Sequence, residues 1–189
     1  GGDGQAFGLD ARATPSSVTI PTGAANSSQL TAVDAFPNLR FPGPTSITNA
    51  SDGRNRLFVS DRSGHVFVFN NDRNVAQATT FLDISSRVDT QPGEAGLLGV
   101  AFDPAFRTNG YFYVTYVTPL NATPANRKFR VSRFRDSSRG ANVADANSEK
   151  VVLELDHPNG DHFGGWIGFG PDGMLYISHA DGGNEPLAQ

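Results

Sequence analysis

Apolar and polar positions recur along this chain in one order: a short apolar run, a turn rich in Gly, Asp and Asn, and a second apolar run. Such runs, bounded by turn residues, predict β-strands joined as hairpins. The clearest turns are Arg62-Ser63-Gly64 and Pro171-Asp172-Gly173. The predicted strands are 17–20, 57–60, 65–69, 97–102, 111–117, 129–135, 166–169 and 174–178.

The spacing of these hairpins predicts a β-propeller. Leu57, Phe112 and Leu175 occupy equivalent places at intervals of roughly 55 to 65 residues, which is a repeat length typical of propeller blades. The segments LFVS, FYVT and LYIS carry apolar side chains on both faces, as expected for blades that are covered on both sides by their neighbours. A β-sandwich is the alternative, although its strands should alternate more cleanly between apolar and polar residues.

Composition supports an all-β fold and excludes several functions. The chain of 189 residues contains 21 Gly, 12 Pro and 14 Phe, which fits aromatic strands joined by many turns. A net charge of −4 gives no reason to expect nucleic acid as a partner. The absence of cysteine excludes disulfides and thiol catalysis, and no apolar run is long enough for a membrane span.

The domain organisation follows from where the strand pattern begins. Residues 1–35, rich in Gly, Ala, Ser and Thr, are predicted to be an extended lead-in, and residues 36–189 a partial β-propeller. A propeller closes with about four to eight blades, and at the observed spacing this chain holds about three. We therefore expect either that the chain is a portion of a longer protein, or that a partner completes it, such as the remainder of its own propeller.

His162 is the candidate catalytic residue, because it lies at the start of a glycine-rich strand between two carboxylates, Asp161 and Asp181. A neutral imidazole is available near pH 7, and a carboxylate can orient the ring and stabilise its charged form. Simpler roles stay open: His162 as a structural histidine, Asp181 as a turn cap, and Glu94 as an acceptor for backbone amides. His65, His157 and His179 are expected to be surface or packing residues.

Four segments together resemble the soluble quinoprotein family of glucose, aldose and sorbosone dehydrogenases, which depend on pyrroloquinoline quinone. They are NRLFVSDRSGHVFVF at 55–69, GEAGLLGVAFDPAFRTNGYFYVTY at 93–116, RVSRFR at 130–135 and DHFGGWIGFGPDGMLYISHADGG at 161–183. The resemblance covers most of residues 40–183, and the combination is more specific than any single segment. The family fold is a six-bladed propeller, in agreement with the spacing of the hairpins.

The resemblance implies a periplasmic or secreted enzyme that oxidises the C1 hydroxyl of an aldose to a lactone and passes a hydride to the quinone. An external acceptor would then take the electrons. His162 matches the family's general base and Asp181 the residue that orients it, while Asp161 and Glu94 match substrate contacts. The quinone and Ca²⁺ ligands of the family lie mostly after Gln189, so no metal or cofactor ligand is assigned, and the isolated chain is expected to be inactive.

Departures from the family pattern leave the identity of the sugar open. Two functions other than sugar oxidation also stay open. Phe163 replaces a common Asn, and Trp166 a polar residue, which would make the mouth of the pocket bulkier and more apolar. One alternative is a non-enzymatic propeller that binds a protein partner, as in the Hedgehog-interacting group. The other is a calcium-dependent hydrolase of the lactonase type, which needs acidic ligands from several blades.

Overall fold

The computed structural model describes residues 31–91, 93–119, 127–157 and 160–183, which fold almost entirely into antiparallel strands. The strands are β1 (Pro44–Asn49), β2 (Arg56–Asp61), β3 (His65–Asn70), β4 (Thr79–Asp83), β5 (Leu97–Phe102), β6 (Tyr111–Val117), β7 (Lys128–Asp136), β8 (Ala144–Asp156), β9 (Gly164–Phe169) and β10 (Leu175–His179). A single 3₁₀ turn at Ser85–Arg87 and a short helix α1 at Phe106–Asn109 complete the described elements.

The strands form three sheets in which chain order equals spatial order. The first sheet is β1-β2-β3-β4, the second is β5-β6-β7-β8, and β9 pairs with β10 in the third. Leu57, Phe112 and Leu175 each lie on the second strand of their sheet, which confirms the predicted equivalence of the three segments.

The sheets stack side by side as propeller blades do. β5 packs against β1 of the first sheet and against β9 of the third, so the first strands of successive sheets are neighbours, and the fourth strands β4 and β8 also meet. The Thr45 hydroxyl of β1 donates a hydrogen bond of 2.9 Å to the carbonyl of Leu97 at the start of β5. The fold is therefore part of a β-propeller and not the sandwich alternative, with two complete sheets and two strands of a third in the described residues.

Phenylalanine rings fill the space between the first and second sheets. Phe81 of β4 lies 5.0 Å from Phe58 and 5.0 Å from Phe112, measured between ring centroids. Phe102 is 4.4 Å from Phe58 and 4.7 Å from Phe106 of α1. These rings are almost completely buried, so the two sheets are joined by an apolar interior.

Strand β6 shows why the repeated segments are apolar on both faces. Phe112 packs towards the first sheet, while its neighbour Tyr113 contacts Phe169 of the third sheet, with 5.5 Å between ring centroids. The third sheet is covered on one face only, because Trp166 and Tyr176 are 63% and 51% exposed. Successive residues of a strand point to opposite faces, so a blade between two others needs apolar residues throughout.

Several sequence predictions concern residues that the structure does not describe, or strands that the pattern missed. The strand at 17–20 and nearly all of the lead-in at 1–35 lie outside the described residues, so the proposed domain boundary stays a prediction. Strands β1, β4 and β8 were not predicted. Within the described residues, no helix has the length and apolar character needed to cross a membrane.

Candidate active site

His162 lies in the turn between β8 and β9 and has a left-handed backbone conformation. Its φ of 56° is unusual for a residue with a side chain and carries a conformational cost. Two hydrogen bonds hold this backbone: the N–H of His162 donates to Glu94 Oε2 at 2.7 Å, and its carbonyl accepts from the N–H of Gly182 at 3.3 Å. The conformation is thus imposed by segments that precede β5 and follow β10.

Asp181 orients the imidazole ring. His162 Nδ1 lies 2.7 Å from Asp181 Oδ1, and the same oxygen accepts a hydrogen bond from the Gly183 N–H at 3.0 Å. Because a carboxylate only accepts, Nδ1 carries the proton, and Nε2 keeps its lone pair in the neutral ring. Within the described residues Nε2 has no hydrogen-bond partner, and the side chain is 53% exposed. The geometry therefore presents an open proton acceptor.

The carboxylates around His162 strengthen it as a base. Its pKa is raised above the ordinary value of 6.5, first by the hydrogen bond to Asp181 and then by the charge of that carboxylate, with smaller contributions from Glu94 and Asp161. The pKa of Asp181 is lowered, chiefly by the same hydrogen bond. The pair therefore favours a charged imidazole beside an ionised carboxylate, which is the state reached after proton transfer from a substrate.

The structure brings all four predicted site residues together. Asp161 and Glu94 are both exposed, and both are near enough to His162 for their charges to raise its pKa. Glu94 also accepts a backbone amide, which is the simpler role that the sequence left open for it. Contact of either carboxylate with a substrate stays a prediction.

Phe163 does not lie at the mouth of a pocket, so this expectation was wrong. The side chain is 1% exposed and packs between Ala95 and Val117. Phe163 precedes β9 and follows the left-handed residue His162, so the alternation of a strand does not set its direction, and its ring turns inward to stack on His157. Trp166, which is largely exposed, does lie on the surface of β9.

Close packing of glycine fixes the start of β9 against the second sheet. Gly165 has a φ of 105°, and a Cβ at this position would lie 2.5 Å from the Cβ of Leu98. Its carbonyl accepts a 2.6 Å hydrogen bond from the Thr115 hydroxyl of β6. Only glycine permits both the conformation and the close approach. The strand that follows His162 is therefore held at a defined distance from β5 and β6.

His157 is part of the site and was not predicted to be. Its side chain is 2% exposed and lies beneath the turn that carries His162, where Nε2 is 2.9 Å from the Asp161 carbonyl and Nδ1 is 3.0 Å from His179 Nε2. Its ring also stacks on Phe163, with 4.2 Å between centroids. The only sequence signal was a histidine five residues before the candidate base, which alone does not indicate a contact.

Neither Ca²⁺ nor the quinone has an identified set of ligands among these residues. The part of the chain that the structure describes contains no group of three or more His, Asp or Glu side chains that could hold a metal ion. The side chain of Arg62 donates to the carbonyls of Thr90 and Ala95, and that of Arg127 pairs with Asp89 at 2.9 Å. We therefore assign no cofactor ligand.

The fold is part of a β-propeller, with a histidine–carboxylate pair beside the first strand of its third sheet. The family model described as Glucose / Sorbosone dehydrogenase matches residues 41–189. The chain belongs to this family.

Individual relatives include both enzymes and a binding protein. The chain is 32% identical over 145 residues to the Hedgehog-interacting protein of Mus musculus. The aligned region covers 74% of this chain and 21% of that protein. It is 28% identical to a putative oxidoreductase (glucose dehydrogenase) of Thermus thermophilus, with a TM-score of 0.57, and covers 38% of it. The fold also matches the PQQ-bound aldose sugar dehydrogenase of Streptomyces coelicolor, with a TM-score of 0.61 and 23% identity.

The match to that Streptomyces coelicolor structure covers 82% of this chain and 42% of the other. The chain thus spans about a fifth of the curated relative and about two fifths of the solved structures that it matches.

Proposed function

We propose that the complete protein oxidises the C1 hydroxyl of an aldose to a lactone, with pyrroloquinoline quinone as the hydride acceptor and His162 as the general base. The observation that carries the proposal is the orientation of His162: Asp181 holds Nδ1 at 2.7 Å, while Nε2 faces away from that contact on a half-exposed ring. An alcohol loses a hydride from carbon readily only as its hydroxyl proton is removed, so the reaction needs a base in this state.

In this proposal each of the four site residues has its own role. His162 Nε2 accepts the proton of the C1 hydroxyl, and Asp181 stabilises the imidazolium that results. Asp161 and Glu94, both exposed and close to His162, would accept hydrogen bonds from sugar hydroxyls. When bound, the quinone supplies the two-electron acceptor, and an external acceptor then removes the electrons. Family membership and the fold shared with a PQQ-bound dehydrogenase support this cofactor. Calcium stays a prediction.

The decisive experiment uses the complete protein, prepared without cofactor. It would be titrated with pyrroloquinoline quinone in the presence and absence of Ca²⁺, and the reduction of an artificial dye would be followed with a panel of aldoses. We expect saturable quinone binding and sugar-dependent dye reduction that His162→Ala abolishes. Failure of the complete protein to bind the quinone would end the enzymatic proposal.

A second candidate function is binding of a protein partner without oxidation. Its support is the 32% identity to a Hedgehog-interacting protein over 74% of this chain. The same titration separates the two functions, because a binding protein has no need of the quinone. The lactonase-type alternative stays a prediction, since no observation on the described residues favours it specifically.

The location that we propose is the periplasm or the exterior of the cell, where the family resemblance places such enzymes. Fractionation of cells that express the complete protein, followed by detection with an antibody, would test it. Recovery with the cytoplasmic fraction would contradict the proposal.

A further inference from the structure

His157 contacts both neighbours of the candidate base. Its Nε2 reaches the carbonyl of Asp161, which precedes His162, and its ring stacks on Phe163, which follows. It also lies below Gly182, where an added Cβ would come within 3.3 Å of the imidazole. One buried side chain therefore touches the turn before His162 and the loop that carries Asp181.

The hydrogen bonds of His157 define its proton positions. A backbone carbonyl can only accept, so Nε2 of His157 donates to Asp161. In the neutral ring Nδ1 then accepts, and the hydrogen at the 3.0 Å contact must come from Nε2 of His179. Both rings are consequently held in the Nε2–H tautomer, in the order His179 to His157 to Asp161.

The Asp161 carbonyl and the His162 N–H belong to the same peptide group. His157 binds the carbonyl at 2.9 Å, and Glu94 binds the N–H at 2.7 Å. In a trans peptide these two bonds point in opposite directions, so together they fix the orientation of the whole plane. Because Phe163 is held by the stacked ring, the rotation about the N–Cα bond of His162, its φ of 56°, is fixed from both sides.

We propose that His157 is a positioning residue, which acts with Glu94 on the peptide group between Asp161 and His162 and so keeps the base within hydrogen-bond distance of Asp181. This role rests on the proposed function only for its effect on the rate. Its effect on the geometry of His162 is independent of any substrate. Without His157 only Glu94 holds this peptide, so the left-handed conformation can relax and the ring can move away from the carboxylate.

The charged and titratable groups that face His162 and His157 come from several elements. His162 faces Asp181 after β10, Glu94 before β5 and Asp161 in its own turn. His157 faces His179 of β10, and its backbone N–H binds the carbonyl of Arg127 before β7. Burial and then the neighbouring His157 lower the pKa of His179, which favours the neutral form of His179. The charges that act on His162 are therefore those of the three carboxylates.

The test compares four forms of the complete protein: wild type, His157→Phe, His157→Gln and His157→Asn. Phenylalanine keeps the stacked ring and loses both hydrogen bonds. The amide nitrogen of glutamine can occupy the place of Nε2 and donate to Asp161, whereas asparagine is one methylene shorter and cannot reach it. The pKa of His162 would be measured from the pH dependence of its carbethoxylation by diethyl pyrocarbonate, followed by peptide mass spectrometry.

We expect His157→Phe and His157→Asn to lower the pKa of His162 towards 6.5 and His157→Gln to retain the wild-type value. In the active enzyme, kcat should fall about 10²-fold in the first two variants, as expected for a displaced catalytic group, with KM little changed. If His157→Phe does not fold, the comparison of the His162 pKa between His157→Gln and His157→Asn still tests the proposal. An unchanged pKa of His162 in folded His157→Asn, or equal values in Gln and Asn, would overturn the proposal.

The two proposals fail in distinguishable ways. A complete protein that neither binds the quinone nor oxidises a sugar would end the enzymatic proposal, while the pKa of His162 in the variants would still decide the positioning role. An active enzyme whose His157→Asn variant keeps the wild-type pKa and kcat would refute the positioning role alone.

Discussion

The interior between the first two sheets and the turn around His162 are held together by different forces. In the interior, phenylalanine rings and aliphatic side chains pack together in one buried cluster. Around His162 the structure depends on a few directional hydrogen bonds from Glu94, Asp181 and His157. The comparison teaches that substitutions in the interior should change stability, whereas substitutions of the His162, Glu94 or Asp181 side chains, none of which is fully buried, should change chemistry and leave the fold intact.

The largest expected effect is on the interior. Phe112→Ala removes a ring that lies 5.0 Å from Phe81 and 5.7 Å from Phe102, and it leaves a cavity between two sheets. We expect the free energy of unfolding to fall by about 3–5 kcal/mol, measured by urea denaturation. Val143→Ala, at a half-exposed position, is the control and should change it by less than about 0.5 kcal/mol. A loss below 1 kcal/mol for Phe112→Ala would show that the rings are not closely packed.

The next effect is on the rate. His162→Ala removes the proposed proton acceptor, and in the quinone-loaded complete protein it should lower kcat about 10²–10⁴-fold with little change in the melting temperature. His65→Ala, on a different sheet, is the matched control and should keep its activity. A full rate in His162→Ala would assign the base to another residue.

A smaller effect is expected for Asp181→Asn, which removes the charge of the side chain and keeps its shape. In Asp181→Asn the amide oxygen can still accept from Nδ1, but the negative charge is lost, so the pKa of His162 should fall towards 6.5. Because the neutral ring accepts the proton, activity rises as pH rises through this pKa, and the acid limb of the kcat/KM profile should move to lower pH. The maximal rate should fall, since the imidazolium is less stabilised. An acid limb that stays in place would exclude this pairing from the mechanism.

The smallest effect is expected for Glu94→Gln. The substitution keeps an oxygen that accepts the His162 N–H and removes a charge that contributes less to the pKa of His162 than Asp181 does. The acid limb should move in the same direction as in Asp181→Asn, but by less. A shift as large as that of Asp181→Asn would contradict this order of contributions.

Much of the fold was accessible from the sequence, because blades covered on both faces require apolar strands. β5 and β6 were predicted with the observed bounds, 97–102 and 111–117. β8 was missed, since its segment ADANSEKVVLELD is largely polar. Among the described strands it is the last of its sheet and pairs with β7 alone, and most of its side chains are at least partly exposed. β1, with the sequence PTSITN, was missed for the same lack of an apolar run.

The candidate site was accessible only in part. His162 and Asp181 were identified because the family motif and the spacing of turn residues place them close together, and the structure brings them into contact. The role of His157 was not accessible, since it depends on a turn that folds back over the ring, which no local periodicity encodes. The inward orientation of Phe163 was also missed, because the motif suggested a pocket position and the left-handed backbone at His162 reverses it.

Under the proposed function, the burial of Phe163 has a practical consequence for attempts to alter which sugar is oxidised. Libraries that randomise the residue next to the base would mostly return unfolded or poorly expressed variants, since this ring fills space between Ala95, Val117 and His157. Selectivity would be easier to change at Asp161 or Glu94, whose side chains are exposed and contribute little to the interior.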